Sequence, residues 1–172
     1  YSGSHPLRQT AKIHYKGVLS LEEYLVPTGF GEDEFTEKKS RFIGRIWPAE
    51  SEEEALERIR QMEKDHAGAA HNCWAYIIKN GPTRFSDNGE PGGTAGLPMT
   101  LVLQKEQLYN VVCVVTRYFG GILLGAGGLV RAYSHTSKIA VDAAGIIKMS
   151  VCTVLSVACD YNFYGRLSSL IP

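Results

Sequence analysis

The side chains best suited to chemistry in this sequence gather around two glycine-dense blocks, residues 84–98 (RFSDNGEPGGTAGLP) and 116–133 (TRYFGGILLGAGGLVRAY). His71, Asp87, Glu90 and His135 could act as general acids or bases, and Arg84, Arg117 and Arg131 could grip phosphate oxygens through their planar fork of N–H donors. The blocks hold Gly89, Gly92, Gly93, Gly96, Gly120, Gly121, Gly125, Gly127 and Gly128, half of the chain's 18 glycines. Glycine weakens helices and strands, so such clusters mark positive φ, tight turns or a backbone that something approaches closely. Where a cluster opens a helix, unpaired N–H groups and the positive end of the helix dipole form an anion site. Gly92, Gly93, Gly127 and Gly128, with Arg41, Arg84, Arg117 and Arg131, are therefore the candidate contacts for nucleic acid or phosphate. The competing reading is that these glycines only let elements pack closely around tight connections.

No motif gathers the titratable groups into a catalytic set. The chain lacks a G-x-S-x-G elbow, an H-E-x-x-H pair and a G-x-x-x-x-G-K-[ST] loop. Asp87-Asn88-Gly89-Glu90 begins like a calcium loop, but the ligand alternation fails after Glu90. Asp87 and Asn88 are adequately explained as turn formers, Glu90 as a complement to a helix dipole, and His71 as a hydrogen-bonded strand histidine. His71, Asp87 and Glu90 stay as candidates for a polar site, with no catalytic residue assigned and no metal or cofactor expected.

Charge and cysteine usage narrow the class further. The 18 basic and 18 acidic residues cancel, so binding to nucleic acid must rest on a local patch. Lys38, Lys39, Arg41 and Arg45 supply one such cluster, and Tyr118 and Phe119 beside Arg117 either stack on single-stranded bases or belong to the core. Cys73, Cys113, Cys152 and Cys159 form no C-x-x-C pair and read as buried reduced thiols, which points to the cytoplasm. No run reaches the ~18 apolar residues of a membrane span, so no membrane contact is expected.

The elements that must position these groups can be read from periodicity. Residues 40–47 alternate as a half-buried strand, and Ser51 with Glu54 opens a helix as an S-x-x-E capping box. Residues 71–78 (HNCWAYII) return to strand character, and Asn80-Gly81-Pro82 turns into a second strand at 83–86. A helix follows from Thr94, then a buried central strand at 110–119, then a long helix from about Gly125 to Ala144 closed by Gly145. Residues 12–31 show no clean period and carry at most a short helix at 20–25, so organisation is expected from Glu34. Residues 146–160 read as a strand and 162–171 as the opening of another helix.

In order and spacing, KKSRFIG, HNCWAY, RFSDNGEPGGTAGLP and VTRYFGGILLGAGGLVRAY resemble the Impact family, in its short bacterial form, over about residues 35–145. The resemblance implies an α+β domain of the ribosomal protein S5 domain 2-like fold, a sheet with helices packed on one face, followed by a ferredoxin-like domain. The chain then divides into a tag remnant and N-terminal extension (1–33), the Impact-type domain (34–145) and the start of a truncated C-terminal domain (146–172). Eukaryotic members of the family regulate translation, so the resemblance implies a broad association with translation; together with the Gly/Arg-rich face this leads to the expectation of a non-catalytic protein that contacts RNA, the ribosome or translation factors, and the truncated segment to an expectation of self-association. The alternative is an enzyme that binds a phosphorylated small molecule at the glycine-rich helix start.

Overall fold

The computed structural model describes residues 23–151, together with Asn162, Gly165 and Ser169. Its elements follow in the order β1 (Tyr24–Pro27), β2 (Gly31–Glu37), β3 (Ser40–Pro48), α1 (Glu52–Asp65), β4 (His71–Ile77), β5 (Thr83–Ser86), α2 (Gly96–Lys105), β6 (Val111–Tyr118), α3 (Ala126–Ala144) and β7 (Ile146–Met149). Five strands form one antiparallel sheet in the order β2-β3-β6-β4-β5, and β1 pairs with β7 as a separate two-stranded ribbon. The central strand β6 is apolar on both faces, as its unbroken VVCVV run requires.

Alternation along the strands sorts the core into two layers. Phe42, Ile46, Cys73, Ala75, Ile77, Val111, Cys113 and Val115 face α2 and α3, where Met99, Leu103, Leu129, Tyr133 and Ala140 close over them. Tyr76, Val112 and Val114 face the other way, against Ala55 and Ile59 of α1. The α+β class and the S5 domain 2-like reading hold, but the layering expected with them is corrected: helices cover both faces, two on one and one on the other. The reason is β6 and β4, whose second face carries Val112, Val114 and Tyr76 and must also leave water.

Local signals account for most helix ends. Ser51 Oγ accepts the Glu54 N–H at 3.2 Å, and the Glu54 carboxylate reaches back to the Glu50 N–H at 2.8 Å, one residue outside the usual capping box. Gly145 ends α3 at φ 68° with its N–H on the Val141 carbonyl. Gly44 lies where β3 meets α3, and a Cβ there would stand 2.6 Å from the Thr136 carbonyl oxygen, so only glycine allows this approach.

The N-terminal side departs from expectation. The sheet begins at Gly31, three residues before Glu34, and of the helix expected at 20–25 Glu23 is in no element and Tyr24 and Leu25 belong to a strand, while residues 20–22 lie outside the described residues. β2 is an edge strand whose Glu32, Asp33 and Glu34 are exposed, so it shows little apolar alternation. β1 is held by β7, more than a hundred residues away, which no local pattern reveals. The strand expected at 146–160 is present as β7 over its first four residues and stops before Ser150 and Val151, and residues 152–160 with most of the helix expected at 162–171 lie outside the described residues.

Candidate binding cleft at the glycine end of the sheet

Antiparallel pairing brings the ends of β2, β6 and β5 and the starts of β3 and β4 to one edge of the molecule. Both glycine blocks leave the sheet there, one after β5 and one after β6, and both α2 and α3 start there and run toward the opposite end. We call this the glycine end.

Asp87 organises the first block. Its Oδ1 accepts the Ala95 and Gly96 N–H groups at 3.0 and 2.8 Å and its Oδ2 accepts the Gly93 N–H at 2.8 Å. It thereby caps α2, whose first residues have no capping side chain of their own. Partial burial opposes ionisation of this carboxyl, but the three backbone donors outweigh it and hold its pKa below the ordinary aspartate value.

Glu90 and Arg117 form the polar floor. Arg117 Nη1 donates to Glu90 Oε1 at 2.7 Å, and the two side chains are only 6% and 3% exposed. Tyr133 donates its hydroxyl to the same Oε1 at 2.7 Å, and burial first, then Cys73 and Glu90, push its pKa up, so it remains a donor. Arg117 Nη2 donates to Ser40 Oγ at 3.3 Å, its Nε has no hydrogen-bond partner, and its guanidinium lies 5.3 Å from the ring centres of both Phe42 and Phe119. Two buried charges paired in this way cost desolvation that only good geometry and added hydrogen bonds recover.

His71 stands beside this pair. Its Nδ1 lies 2.9 Å from the Asn88 carbonyl oxygen, and its Nε2 faces Glu90 Oε2 at 3.7 Å. Cys73 behind it is buried, its thiol donating to the Asp87 carbonyl oxygen at 3.0 Å, and burial pushes its pKa up to about 12. At physiological pH it is an inert thiol.

These groups open on a cleft of about 400 Å³ walled by Pro91, Phe119, Leu123, Leu124, Leu129 and the start of α3 at Gly125 and Ala126. Its mouth is unusually apolar, with Phe119 49%, Ile122 42% and Leu123 81% exposed. Gly125 begins α3 at φ 73° without a side-chain cap, so the first N–H groups of the helix are free of one. Gly120 seats this loop on the β2–β3 turn, since a Cβ on it would overlap the Lys39 carbonyl group. Lys38 and Lys39 thus lie in the turn beside this loop, Arg131 in the second turn of α3 lines a neighbouring cavity with Phe35, Glu37 and His135, and among the described residues none of the three cations makes an ion pair.

The candidate residues therefore do not share one face. His71, Asp87, Glu90, Arg117, Gly92, Gly93, Gly127, Gly128 and Arg131 all belong to the glycine end, but Arg117 is buried against Glu90 and is not a free surface cation. Arg41 and Arg84 project on the α1 side of the sheet, paired with Glu34 and Glu52. Single strand positions decide this, because Arg41 precedes the inward Phe42 and Arg84 sits opposite Tyr76. Sequence reasoning missed Ser40 and Tyr133 as partners of the buried pair. Nothing local distinguishes a tyrosine whose hydroxyl has a buried carboxylate to meet.

Among the described residues no group of three or more His, Cys, Asp or Glu side chains could hold a metal ion. The fold and this cleft define an S5 domain 2-like α+β protein with a part-buried cleft at one end of its sheet. The Impact N-terminal domain profile matches residues 38–141, which includes both glycine blocks. The chain belongs to the Impact family. It is 40% identical over 151 residues to the IMPACT family member YvyE of Bacillus subtilis, covering 87% of this chain and 70% of that protein. It is 42% identical over 150 residues to an IMPACT family member of Haemophilus influenzae, covering 83% and 71%. A crystal structure described as that of a hypothetical protein superposes with a TM-score of 0.72 at 32% identity, over 88% of this chain and 75% of that one.

Proposed function

We propose that this chain is a non-catalytic cytoplasmic binding protein in the regulation of translation, and that it contacts RNA or the ribosomal machinery through the glycine end of its sheet. Membership of the Impact family supports the link to translation. The observation that carries the surface is its arrangement: an apolar cleft with exposed Phe119 and Leu123 opens at the end of the molecule that also carries Lys38 and Lys39 in the β2–β3 turn and Arg131 in the second turn of α3. Cations at a rim suit phosphates, and an apolar interior suits bases or apolar side chains. Arg41, Arg84 and Arg117 leave the proposed contact set because each already has an acidic partner. Self-association through 146–172 belongs to the same reading, since β7 exposes Ile146, Ile147 and Met149.

The test is co-sedimentation with ribosomes and titration of labelled single-stranded RNA between about 50 and 200 mM salt. Wild-type affinity is expected to fall with salt, and the Lys38→Ala, Lys39→Ala, Arg131→Ala triple variant to bind more weakly with a log–log slope smaller by about 2. An unchanged slope would remove these residues from the contact.

A second reading has one observation in its favour, the α3 start that lacks a side-chain cap beside the cleft. It makes the chain an enzyme that holds a phosphorylated small molecule at Gly125–Gly128.

A further inference from the structure

We propose that the cleft receives a single nucleobase and that its polar floor prefers bases with an exocyclic amino group. The inference deepens the proposed contact with RNA and rests on it.

Glu90 carries the argument. Its side chain is only 3% exposed, yet both of its hydrogen bonds, from Arg117 and Tyr133, end on Oε1. Oε2 has no hydrogen bond and meets only His71 Nε2, at 3.7 Å, on the floor of the cleft. This oxygen is open to the cleft, so a ligand donor can take the place of water on it.

His71 defines the second acceptor. The Asn88 carbonyl oxygen 2.9 Å from Nδ1 can only accept, so Nδ1 carries the proton in the neutral ring and Nε2 presents a lone pair. The floor therefore offers two acceptors 3.7 Å apart and asks for a group with two N–H bonds diverging from one atom. An exocyclic amino group has that shape. Uracil lacks it, and its carbonyl oxygens would meet two acceptors.

Charge decides between a neutral amino group and an ammonium. Glu90 is already balanced by Arg117, so an ammonium would bring an unmatched charge into a part-buried site. A base brings none. The walls agree, because Phe119 presents a half-exposed ring, and Leu123, Leu124 and Pro91 complete an apolar slot in which a flat ring loses little by leaving water. A nucleobase can arrive on an RNA or as a free nucleotide, and Lys38, Lys39 and Arg131, on the same end of the molecule, are the cations nearest in the fold to meet the phosphate of either.

The experiment uses the full chain and labelled oligomers of A, C and U of one length, with AMP, CMP and UMP as the free counterparts, and with ribosome co-sedimentation run in parallel. The expected result is affinity for A and C about tenfold above U, and about tenfold weaker binding for Phe119→Ala. In His71→Ala, checked by its melting curve, the preference for C over U shrinks about three- to tenfold, an effect that general loss of structure would not confine to one base. Affinity for oligomers alone supports RNA as the source, and equal affinity for monophosphates supports a free nucleotide. Equal binding of U, or a preference that survives His71→Ala, overturns the inference. Ribosome binding without base preference overturns it while leaving the proposed function intact. Base preference without ribosome binding supports the cleft and overturns the assignment to translation.

Discussion

Asp87 shows how far a residue can be read from its neighbours in sequence. Its position before Asn-Gly predicts a turn, and the chain does turn there, but its carboxylate also reaches the Gly93, Ala95 and Gly96 N–H groups. The depressed pKa gives a stability contribution that is fully present above the unfolded value of about 3.9 and is lost as pH falls through the lower folded value. Asp87→Asn is therefore expected to cost about 2 kcal/mol at neutral pH and to flatten the stability profile in that acid window, as urea titrations from pH 6 down to about 2 would record. The Glu90–Arg117 pair was not legible in the same way. The partners lie far apart in sequence, and Glu90 looks from its neighbours like an ordinary acidic residue ahead of a helix. Only the register that sets His71 against Arg117, and so β4 beside the end of β6, brings the pair together.

Among the elements, those with a strong period or a cap were legible and those defined by distant partners were not. β6 declares itself through its β-branched run, α1 through Ser51 and Glu54, and the end of α3 through Gly145. β1 and β2 carry no such signal, one because its partner is β7 and the other because three consecutive acidic residues face solvent. Element packing also fixes Gly44, whose missing side chain lets α3 lie against β3. Gly44→Ala would put a methyl 2.6 Å from the Thr136 oxygen and 2.9 Å from its Cγ2, so the helix and sheet must part. The expected loss is about 1–3 kcal/mol in chemical denaturation, and a loss near zero would show that α3 shifts freely.

For the whole molecule, the ribbon of β1 and β7 ties the first described strand to the last, while Tyr109 donates its N–H to Leu25 and fastens the ribbon to the connection between α2 and β6. A chain ending at Gly145 would leave β1 without its ladder, and its melting temperature is expected to fall by about 4 °C, with the five-stranded sheet retained in circular dichroism. The same architecture has an electrical side. Because α2 and α3 both start at the glycine end and run away from it, their macrodipoles add, and α1, which runs toward that end on the other face, offsets only part of the sum. With 18 positive and 18 negative side chains the protein has no net pull toward a polyanion, yet it has a preferred heading. If the cleft makes the contact proposed above, the protein would turn in the field of a polyanion as a compass needle does, and orientation rather than attraction would govern the productive fraction of encounters.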